Sequence, residues 1–154
     1  MSDDHLELLI EGHSRCCTRS ACEELGAKVV LPQPCLCFNE DDARMHHGAD
    51  GKLSDCMILW SGYLGTVAAA VELKSGRLHA SKVIGQLSGG AQFIDEMSQG
   101  LHIPDFLPVL VHKKGIKRAE LDQLKGKKVP FRGRRYPILV ERTPAELEKL
   151  VIRR

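Results

Sequence analysis

Two apolar segments joined by a short glycine-containing turn constrain the fold of this chain most strongly. Residues 53–60 and 66–74 are rich in Val, Ile, Leu and Ala, which is the composition of strands buried on both faces. Residues 61–65, with the sequence SGYLG, have the residue types that tight turns require. We therefore predict that these two segments form an antiparallel β-hairpin.

Four other segments are predicted to be helical, the first and second of them from three- and four-residue apolar spacing. Gly26 can end the first of them. Thr143, Pro144 and Glu146 are the residue types of an N-cap, a first helical position and a capping box at the start of the last. The predicted helices cover residues 3–25, 78–97 and 116–124, with a fourth that begins at 143–144.

Shorter extended segments surround the hairpin. Residues 29–31 form a short extended piece that ends at prolines, and residues 39–51 are polar enough to predict an exposed loop. Later strands are predicted at 106–112, 127–131 and 136–140. This order predicts a single α/β domain of 154 residues, with a central mixed sheet flanked by helices.

The composition is that of a globular protein, with 43% hydrophobic and 27% charged residues. No apolar run approaches the roughly 18 residues that a membrane span needs, and the acidic first residues are unlike a secretory signal. We therefore expect a soluble protein of the cytoplasm, where thiols stay reduced.

Six cysteines are present, but none forms the Cys-x-x-Cys pair from which structural zinc sites are usually built. Cys56 lies in a strand-like run, where a buried thiol is the expected environment. The spacing leaves open a zinc or iron–sulfur site formed by Cys17, Cys22, Cys35 and Cys37. Reduced, buried thiols are the favoured interpretation.

Charge is distributed unevenly along the chain. Residues 1–100 have 8 Lys and Arg against 14 Asp and Glu, whereas residues 101–154 have 14 against 6. A basic C-terminal third is suited to a polyanion such as nucleic acid, and equally to a solvated basic face. The candidate phosphate-binding side chains are Lys113, Lys114, Lys117, Arg118, Lys125, Lys127, Lys128, Arg132, Arg134 and Arg135.

Aromatic residues make up 5% of the chain, which argues against an extended stacking platform for single strands. Tyr63, Phe131 and Tyr136 are the candidates for base stacking that remain. His46 and His47 adjoin acidic residues and could approach a metal, but two surface histidines are the expected interpretation.

Charged residues at the end of the second predicted strand mark the candidate site. Glu72 and Lys74 are two residues apart, so both project to the same face of the strand. Asp55 lies near the start of the first strand, and the antiparallel hairpin brings it beside Glu72. Two neighbouring carboxylates repel each other unless a cation lies between them, and oxygen ligands of this type suit Mg²⁺ or Mn²⁺.

The sequence SD at 54–55, followed after sixteen residues by ELK at 72–74, resembles the signature of the PD-(D/E)XK nuclease superfamily. Members of this superfamily have the restriction-endonuclease-like fold. Ser54 stands where the signature most often has Pro. Gln86, on the following predicted helix, resembles the glutamine found in the RecB-like and Holliday-junction-resolvase-like branch.

The resemblance covers a core of about residues 3–112, with 113–154 as a basic extension, and it is best over 53–98. It implies a three-layer α/β/α architecture around the mixed sheet. Glu24 would correspond to a first-helix carboxylate that assists metal binding in several branches. Three other acidic residues compete with Glu24 for that role, namely Glu7, Glu11 and Glu23.

The resemblance also implies a mechanism. Asp55, Glu72 and the backbone carbonyl of Leu73 would bind Mg²⁺ or Mn²⁺, and Lys74 would position or activate the attacking water. The chain would then be an endo- or exonuclease, expected to act on DNA and to work as a homodimer. Two alternatives stay open, a catalytically silent nucleic-acid-binding or assembly subunit of the same fold and an RNA-processing nuclease.

Overall fold

The computed structural model describes residues 4–13 and 19–153, with the backbone alone at residues 4, 5, 152 and 153. These residues have the predicted mixed α/β architecture. The strands are β1 (Ala21–Glu24), β2 (Ala27–Val30), β3 (Leu36–Asn39), β4 (Cys56–Gly62), β5 (Gly65–Lys74), β6 (Asp105–His112), β7 (Lys128–Phe131), β8 (Arg134–Pro137), β9 (Leu139–Arg142) and β10 (Ala145–Glu146). The helices are α1 (Asp4–Gly12), α2 (Glu40–His47), α3 (Ala80–Met97), α4 (Arg118–Lys125) and α5 (Leu147–Arg153). Within the described residues, no helix is both long enough and apolar enough to cross a lipid bilayer.

The predicted hairpin is the centre of a five-stranded mixed sheet in the order β3-β4-β5-β6-β9. β4 and β5 are antiparallel, with Cys56 opposite Val71. β6 and β9 continue the sheet in parallel with β5, whereas β3 is antiparallel to β4 at the other edge. The hairpin, the strand at 106–112 and the helix at 78–97 are thus confirmed, and α4 covers most of the segment predicted at 116–124.

Both faces of the central sheet are buried, each under a different cover. One face, which includes Met57, Ala70 and Phe106, packs against α3. The opposite face, which includes Ile58 and Val71, packs against a second sheet, β1-β2-β10, and against α5. Burial on both sides explains why the hairpin strands are apolar almost throughout.

β1 and β2 replace the second half of the helix predicted over residues 3–25. α1 ends at Gly12, and residues 14–18 lie outside the described part of the chain. The β1–β2 hairpin turns at Gly26, which has a positive φ of 92°. Cys22 is buried among side chains of the central sheet, and this tertiary packing outweighs the helical spacing of the sequence.

The exposed loop predicted at 39–51 contains α2. The Asn39 side chain accepts a 2.7 Å hydrogen bond from the Asp42 amide, and Asp42 completes a capping box. Acidic residues in the first turn and basic residues in the last turn complement the helix dipole. Ala43 is the one buried residue of α2, so the segment lacks the apolar stripe by which a helix is recognised in a sequence.

The last helix starts later than predicted. Thr143 does not cap it, because the Thr143 hydroxyl accepts a 2.8 Å hydrogen bond from the Lys28 amide. Glu146, predicted to complete a capping box, lies in β10, which pairs with β2 in parallel, and α5 begins at Leu147. The strand predicted at 136–140 is divided in a similar way, since β8 pairs with β7 and β9 joins the central sheet. Partners that are distant in sequence decide these boundaries.

Candidate active site

Asp55 and Glu72 lie side by side, as the predicted hairpin requires. The Asp55 amide donates a 3.0 Å hydrogen bond to Oε1 of Glu72, and the Leu73 amide donates a 2.7 Å hydrogen bond to Oδ2 of Asp55. These bonds continue the β4–β5 ladder beyond the Cys56–Val71 pair. Each carboxylate is therefore fixed by a backbone amide of the opposite side of the hairpin.

Lys74 completes the predicted group. Its Nζ lies 3.2 Å from Oε2 of Glu72. The Glu72 side chain is 1% exposed and the Lys74 side chain is 23% exposed, so water and salt screen this ion pair weakly. Glu72 thus has a cationic partner on one oxygen and a backbone donor on the other.

Glu24 also reaches this group, although it ends a strand and does not lie on the predicted helix. The β1–β2 hairpin places Glu24 against Asp55, with which its carboxyl shares a hydrogen bond. Glu23, one of its competitors, lines the neighbouring cavity, and Glu7 and Glu11 lie on α1. A third carboxyl group therefore joins Asp55 and Glu72.

The pKa values of these three carboxyl groups are all raised. Burial, followed by the charge of Glu72, raises the pKa of Asp55 to about 6. Burial also raises the pKa of Glu72, against the opposing effect of Lys74. A hydrogen bond with Asp55 and the Asp55 charge raise the pKa of Glu24. A divalent cation would stabilise the ionised form of such a group.

A cavity of about 370 Å³ opens beside the carboxyl groups, between β1 and the start of α2. Glu40, which sequence analysis did not single out, lines this cavity, and its charge helps to raise the pKa of Glu24. The Glu40 amide donates a 3.1 Å hydrogen bond to the Asp55 carbonyl. The sequence signal that could have revealed Glu40 is the capping pair Asn39 and Asp42, because this pair places Glu40 in the first turn of a helix.

Two adjacent glycines let α3 approach the segment that precedes Asp55. A Cβ on Gly89 would lie 1.7 Å from the Lys52 carbonyl oxygen, and a Cβ on Gly90 would lie 2.1 Å from Oγ of Ser54. Ser54 is fully buried, and its hydroxyl donates a 3.1 Å hydrogen bond to the Cys56 carbonyl. Ser54 therefore anchors the backbone on both sides of Asp55.

Gln86 lies on α3, one turn before Gly90. Gly90 packs on Ala70, and α3 connects two parallel strands, so it runs back along β5. From the Gly90–Ala70 contact, one turn back along α3 covers about 5.4 Å, and two residues forward along β5 cover about 6.6 Å. These two steps lead in the same direction, so Gln86 lies at about the level of Glu72. Its amide oxygen is buried and has no hydrogen-bond partner among the described residues.

The predicted phosphate-binding residues fall into two groups. Arg132 is engaged within the fold, since it pairs with Asp95 at 2.7 Å and donates to backbone carbonyls of the α3–β6 connection. Lys113 lies against the β1–β2 turn, where a Cβ on Gly26 would be 2.7 Å from Nζ of Lys113. Its amide donates a 3.0 Å hydrogen bond to the Lys74 carbonyl, so Lys113 adjoins the candidate site. Lys113 belongs to the second group, whose members are exposed; the others are Lys114, Lys117, Arg118, Lys125, Lys127, Lys128, Arg134 and Arg135.

Two of the three candidate stacking residues are unavailable to nucleic acid bases. Phe131 and Tyr136 are buried, and Phe131 stacks on Phe106 with the ring centroids 4.6 Å apart. Tyr63 is fully exposed, but it lies in the β4–β5 turn, at the opposite end of the hairpin from Asp55.

The two adjacent histidines lie in the last turn of α2. His46 is exposed. His47 packs against Phe38, with the ring centroids 5.1 Å apart, and near Phe93 of α3. His47 is therefore part of an aromatic cluster on the α3 side of the central sheet.

Three cysteines converge beside the carboxyl groups. The sulfurs of Cys22, Cys37 and Cys56 all lie within 4.8 Å of one another, and those of Cys22 and Cys37 are 3.4 Å apart. Hydrogen bonds from the other two thiols lower the pKa of Cys22. This set differs from the predicted one, because Cys56 takes part, Cys35 is buried outside it, and Cys17 lies outside the described residues. Sequence spacing could not reveal it, since separate strands supply the sulfurs.

Comparisons of this chain with models of protein families, with curated proteins and with solved structures gave no match.

Proposed function

We propose that this chain is a metal-dependent nuclease of the PD-(D/E)XK type, in the RecB-like and Holliday-junction-resolvase-like branch, and that it hydrolyses phosphodiester bonds in DNA. The observation that carries the proposal is the convergence of Asp55, Glu72 and Lys74 at one end of a buried hairpin. Gathering charged groups in a poorly screened place costs stability, and such clusters are commonly functional.

Mg²⁺ or Mn²⁺ is the proposed cofactor, and the chemistry of the donor set fits it. Asp55, Glu72 and Glu24 offer carboxylate oxygens, and the Leu73 carbonyl is the further proposed ligand. Burial raises the pKa of both Asp55 and Glu72, and the Glu72 charge raises the pKa of Asp55 further; a bound cation would offset these effects. When bound, such an ion supplies a more acidic water and neutralises charge on a phosphate.

Lys74 is the proposed partner of the attacking water. Its ammonium group, 3.2 Å from Glu72, can donate a hydrogen bond to that water or to a phosphate oxygen on which charge develops. Gln86 would accept a hydrogen bond from the water through its buried amide oxygen. The proposed products are a 5′-phosphate and a 3′-hydroxyl.

The proposed architecture is the restriction-endonuclease-like, three-layer α/β/α arrangement. α3 and the central sheet supply two layers, and α5 with the β1-β2-β10 sheet would form the third. In this arrangement the third layer includes the β1–β2 hairpin, where a helix was predicted from the sequence. This hairpin carries Glu24 to the place that a first-helix carboxylate would otherwise occupy.

DNA is the proposed substrate because Lys74 and Lys113 lie at the site and a basic segment follows in the sequence. The Lys113 amide donates to the Lys74 carbonyl, and residues 114–135 contain further exposed lysines and arginines. Such side chains bind the phosphodiester backbone without reading bases. A homodimer, in which each subunit supplies half of the grip on the duplex, is part of the proposal.

Cleavage of labelled nucleic acids tests the proposal. Linear, nicked, branched and single-stranded DNA, and RNA, are incubated with wild type, Lys74→Ala and Lys82→Ala in Mg²⁺, Mn²⁺ or EDTA. Lys82 is an exposed lysine of α3 and serves as the matched control. We expect metal-dependent cleavage by wild type and Lys82→Ala, with a loss of about 10²- to 10⁴-fold in Lys74→Ala.

The other outcomes are equally informative. Full activity of Lys74→Ala would show that the active-site assignment is wrong. DNA binding without cleavage, equal with and without Mg²⁺, would identify a catalytically silent binding or assembly subunit. Preferential cleavage of RNA would identify an RNA-processing nuclease.

A further inference from the structure

The three clustered cysteines are unused by the proposed nuclease chemistry. Cys22 lies in β1, Cys37 in β3 and Cys56 at the start of β4, so the two sheets both contribute thiols. All three are free and nearly inaccessible, with exposures of 6%, 0% and 3%. Thiols are weak hydrogen-bond donors and acceptors, which gives little reason to gather three of them in the core.

The spacing of the three sulfurs suits a shared metal ion. In a tetrahedral thiolate site, Zn–S bonds of about 2.3 Å place the sulfurs about 3.8 Å apart. Here the Cys22 and Cys37 sulfurs are 3.4 Å apart, and the three sulfurs, Cys56 included, lie within 4.8 Å of one another. Small side-chain rotations would therefore bring all three to bonding distance of one ion.

We propose that Cys22, Cys37 and Cys56 bind one thiophilic metal ion, Zn²⁺ in the first instance, through three thiolates. Cys22 and Cys56 also line the cavity beside the carboxyl groups, so a fourth ligand can approach the ion from that side. Thiolates select a different class of ion from the carboxylates of the candidate active site. This proposal does not depend on the proposed nuclease function.

Arg19 offers the countercharge that such a site needs. Three thiolates and Zn²⁺ leave one net negative charge. The Arg19 guanidinium reaches the Cys37 carbonyl at 3.5 Å while it pairs with Asp42 at 2.9 Å, and its positive charge acts on the Cys22 thiol. Its positive charge favours the ionised form of Cys22 and of Cys37.

A metal ion at this point would link the two sheets where the carboxyl groups meet. Cys56 directly follows Asp55, and Cys22 precedes Glu24 by two residues. The ion would therefore tie β1 to β4 and hold Glu24 beside Asp55. Bound metal should accordingly raise the melting temperature, since it binds the folded chain in preference to the unfolded one.

Titration with Co²⁺, a spectroscopic substitute for Zn²⁺, tests the proposal directly. The full-length chain is reduced, stripped of metal and titrated with Co²⁺, and then Zn²⁺ is added as competitor. We expect one equivalent of Co²⁺ to give a thiolate-to-metal charge-transfer band, which carboxylate ligands do not produce. We expect Zn²⁺ to abolish the band and to raise the melting temperature.

Cysteine variants assign the ligands. Cys37→Ser and Cys56→Ser should lose most of the band and weaken binding at least about 100-fold, because two thiolates cannot close the site. Cys35→Ser, which removes a buried thiol outside the cluster, and the double variant Cys16→Ser/Cys17→Ser should keep it. If the wild-type chain gives no charge-transfer band with Co²⁺, the proposal is overturned by that result alone. An equal loss in Cys35→Ser or in the double variant would overturn the three-cysteine assignment.

Discussion

The backbone amide of Asp55 donates a 3.0 Å hydrogen bond to the Glu72 carboxylate, and the amide next to Glu72 returns a 2.7 Å bond to Asp55. The two acidic side chains are therefore held in place by the hairpin itself. This geometry keeps like charges together in a buried place, and the pKa of Asp55 rises to about 6 as a result of burial and of the Glu72 charge. The stability and the pH response of the protein should both report on this arrangement.

Asp55 should make the metal-free protein less stable as the pH rises. Its pKa is about 6 in the folded state against about 3.8 in the unfolded chain, so the folded state binds more protons between these values. The free energy of unfolding should therefore fall by about 1–3 kcal/mol between about pH 4 and pH 6 and then stay level. Asp55→Asn should lose most of this dependence and should be more stable than wild type at pH 7.5 in EDTA. Denaturant unfolding at a series of pH values measures both effects.

Asp50→Asn is the control for that experiment, because Asp50 is an exposed residue of the α2–β4 connection. It should keep the wild-type pH profile. Millimolar Mg²⁺ should restore wild-type stability at pH 7.5 and leave Asp55→Asn unchanged. A wild-type profile that is flat or rises between pH 4 and pH 6 would contradict the buried carboxyl pair.

Glu24→Gln should lower the affinity for the metal ion without abolishing cleavage. Glu24 contacts Asp55 from a more exposed position at the end of β1, so in the proposed site it would assist two ligands that the hairpin already fixes. We expect the Mg²⁺ concentration for half-maximal cleavage to rise about tenfold, with little change at saturating Mg²⁺. Glu23→Gln, at the adjacent exposed position, is the matched control and should behave as wild type. The reverse pattern would make Glu23 the assisting carboxylate.

The Asp55–Glu72–Lys74 group could be predicted from sequence because it depends on one local hairpin. Alternation along 71–74 and a short turn determine which residues face each other, and few tertiary contacts are needed for that inference. Helix α3 could be predicted equally well, since its apolar stripe has clear helical spacing, with Val83, Leu87, Ala91 and Ile94 on one face.

The elements that the sequence did not predict depend on tertiary contacts, which the spacing of residues along the chain does not encode. Residues 21–24 have helical spacing but pair with β2, because Cys22 gains burial there. α2 has a strong cap but no apolar stripe, so its polarity predicted a loop. The cysteine cluster joins three strands from two sheets and has no signature along the chain.

Gly89→Ala should damage the fold despite the higher helix propensity of alanine. A Cβ at this position would lie 1.7 Å from the Lys52 carbonyl oxygen, so α3 or the segment before Asp55 must move. We expect a loss of about 2–3 kcal/mol in the free energy of unfolding, after a propensity gain of up to about 1 kcal/mol. Gly76→Ala, where a Cβ would meet nothing within 4 Å, should be nearly neutral. Equal stability of the two variants would show that α3 does not pack this closely.

Arg132→Ala and Arg135→Ala test whether the basic segment 113–154 has the proposed nucleic-acid-binding role in addition to a structural one. Arg132 pairs with Asp95 and donates to the Ser98 carbonyl at 2.8 Å, so Arg132→Ala should cost about 1–3 kcal/mol in unfolding free energy. Arg135 is exposed on β8, so Arg135→Ala should leave stability unchanged and weaken DNA binding. If Arg135 contacts one phosphate, the slope of log affinity against log salt should fall in magnitude by about 0.9 in Arg135→Ala and stay unchanged in Arg132→Ala. Identical salt slopes for wild type and both variants would place the DNA-binding surface elsewhere.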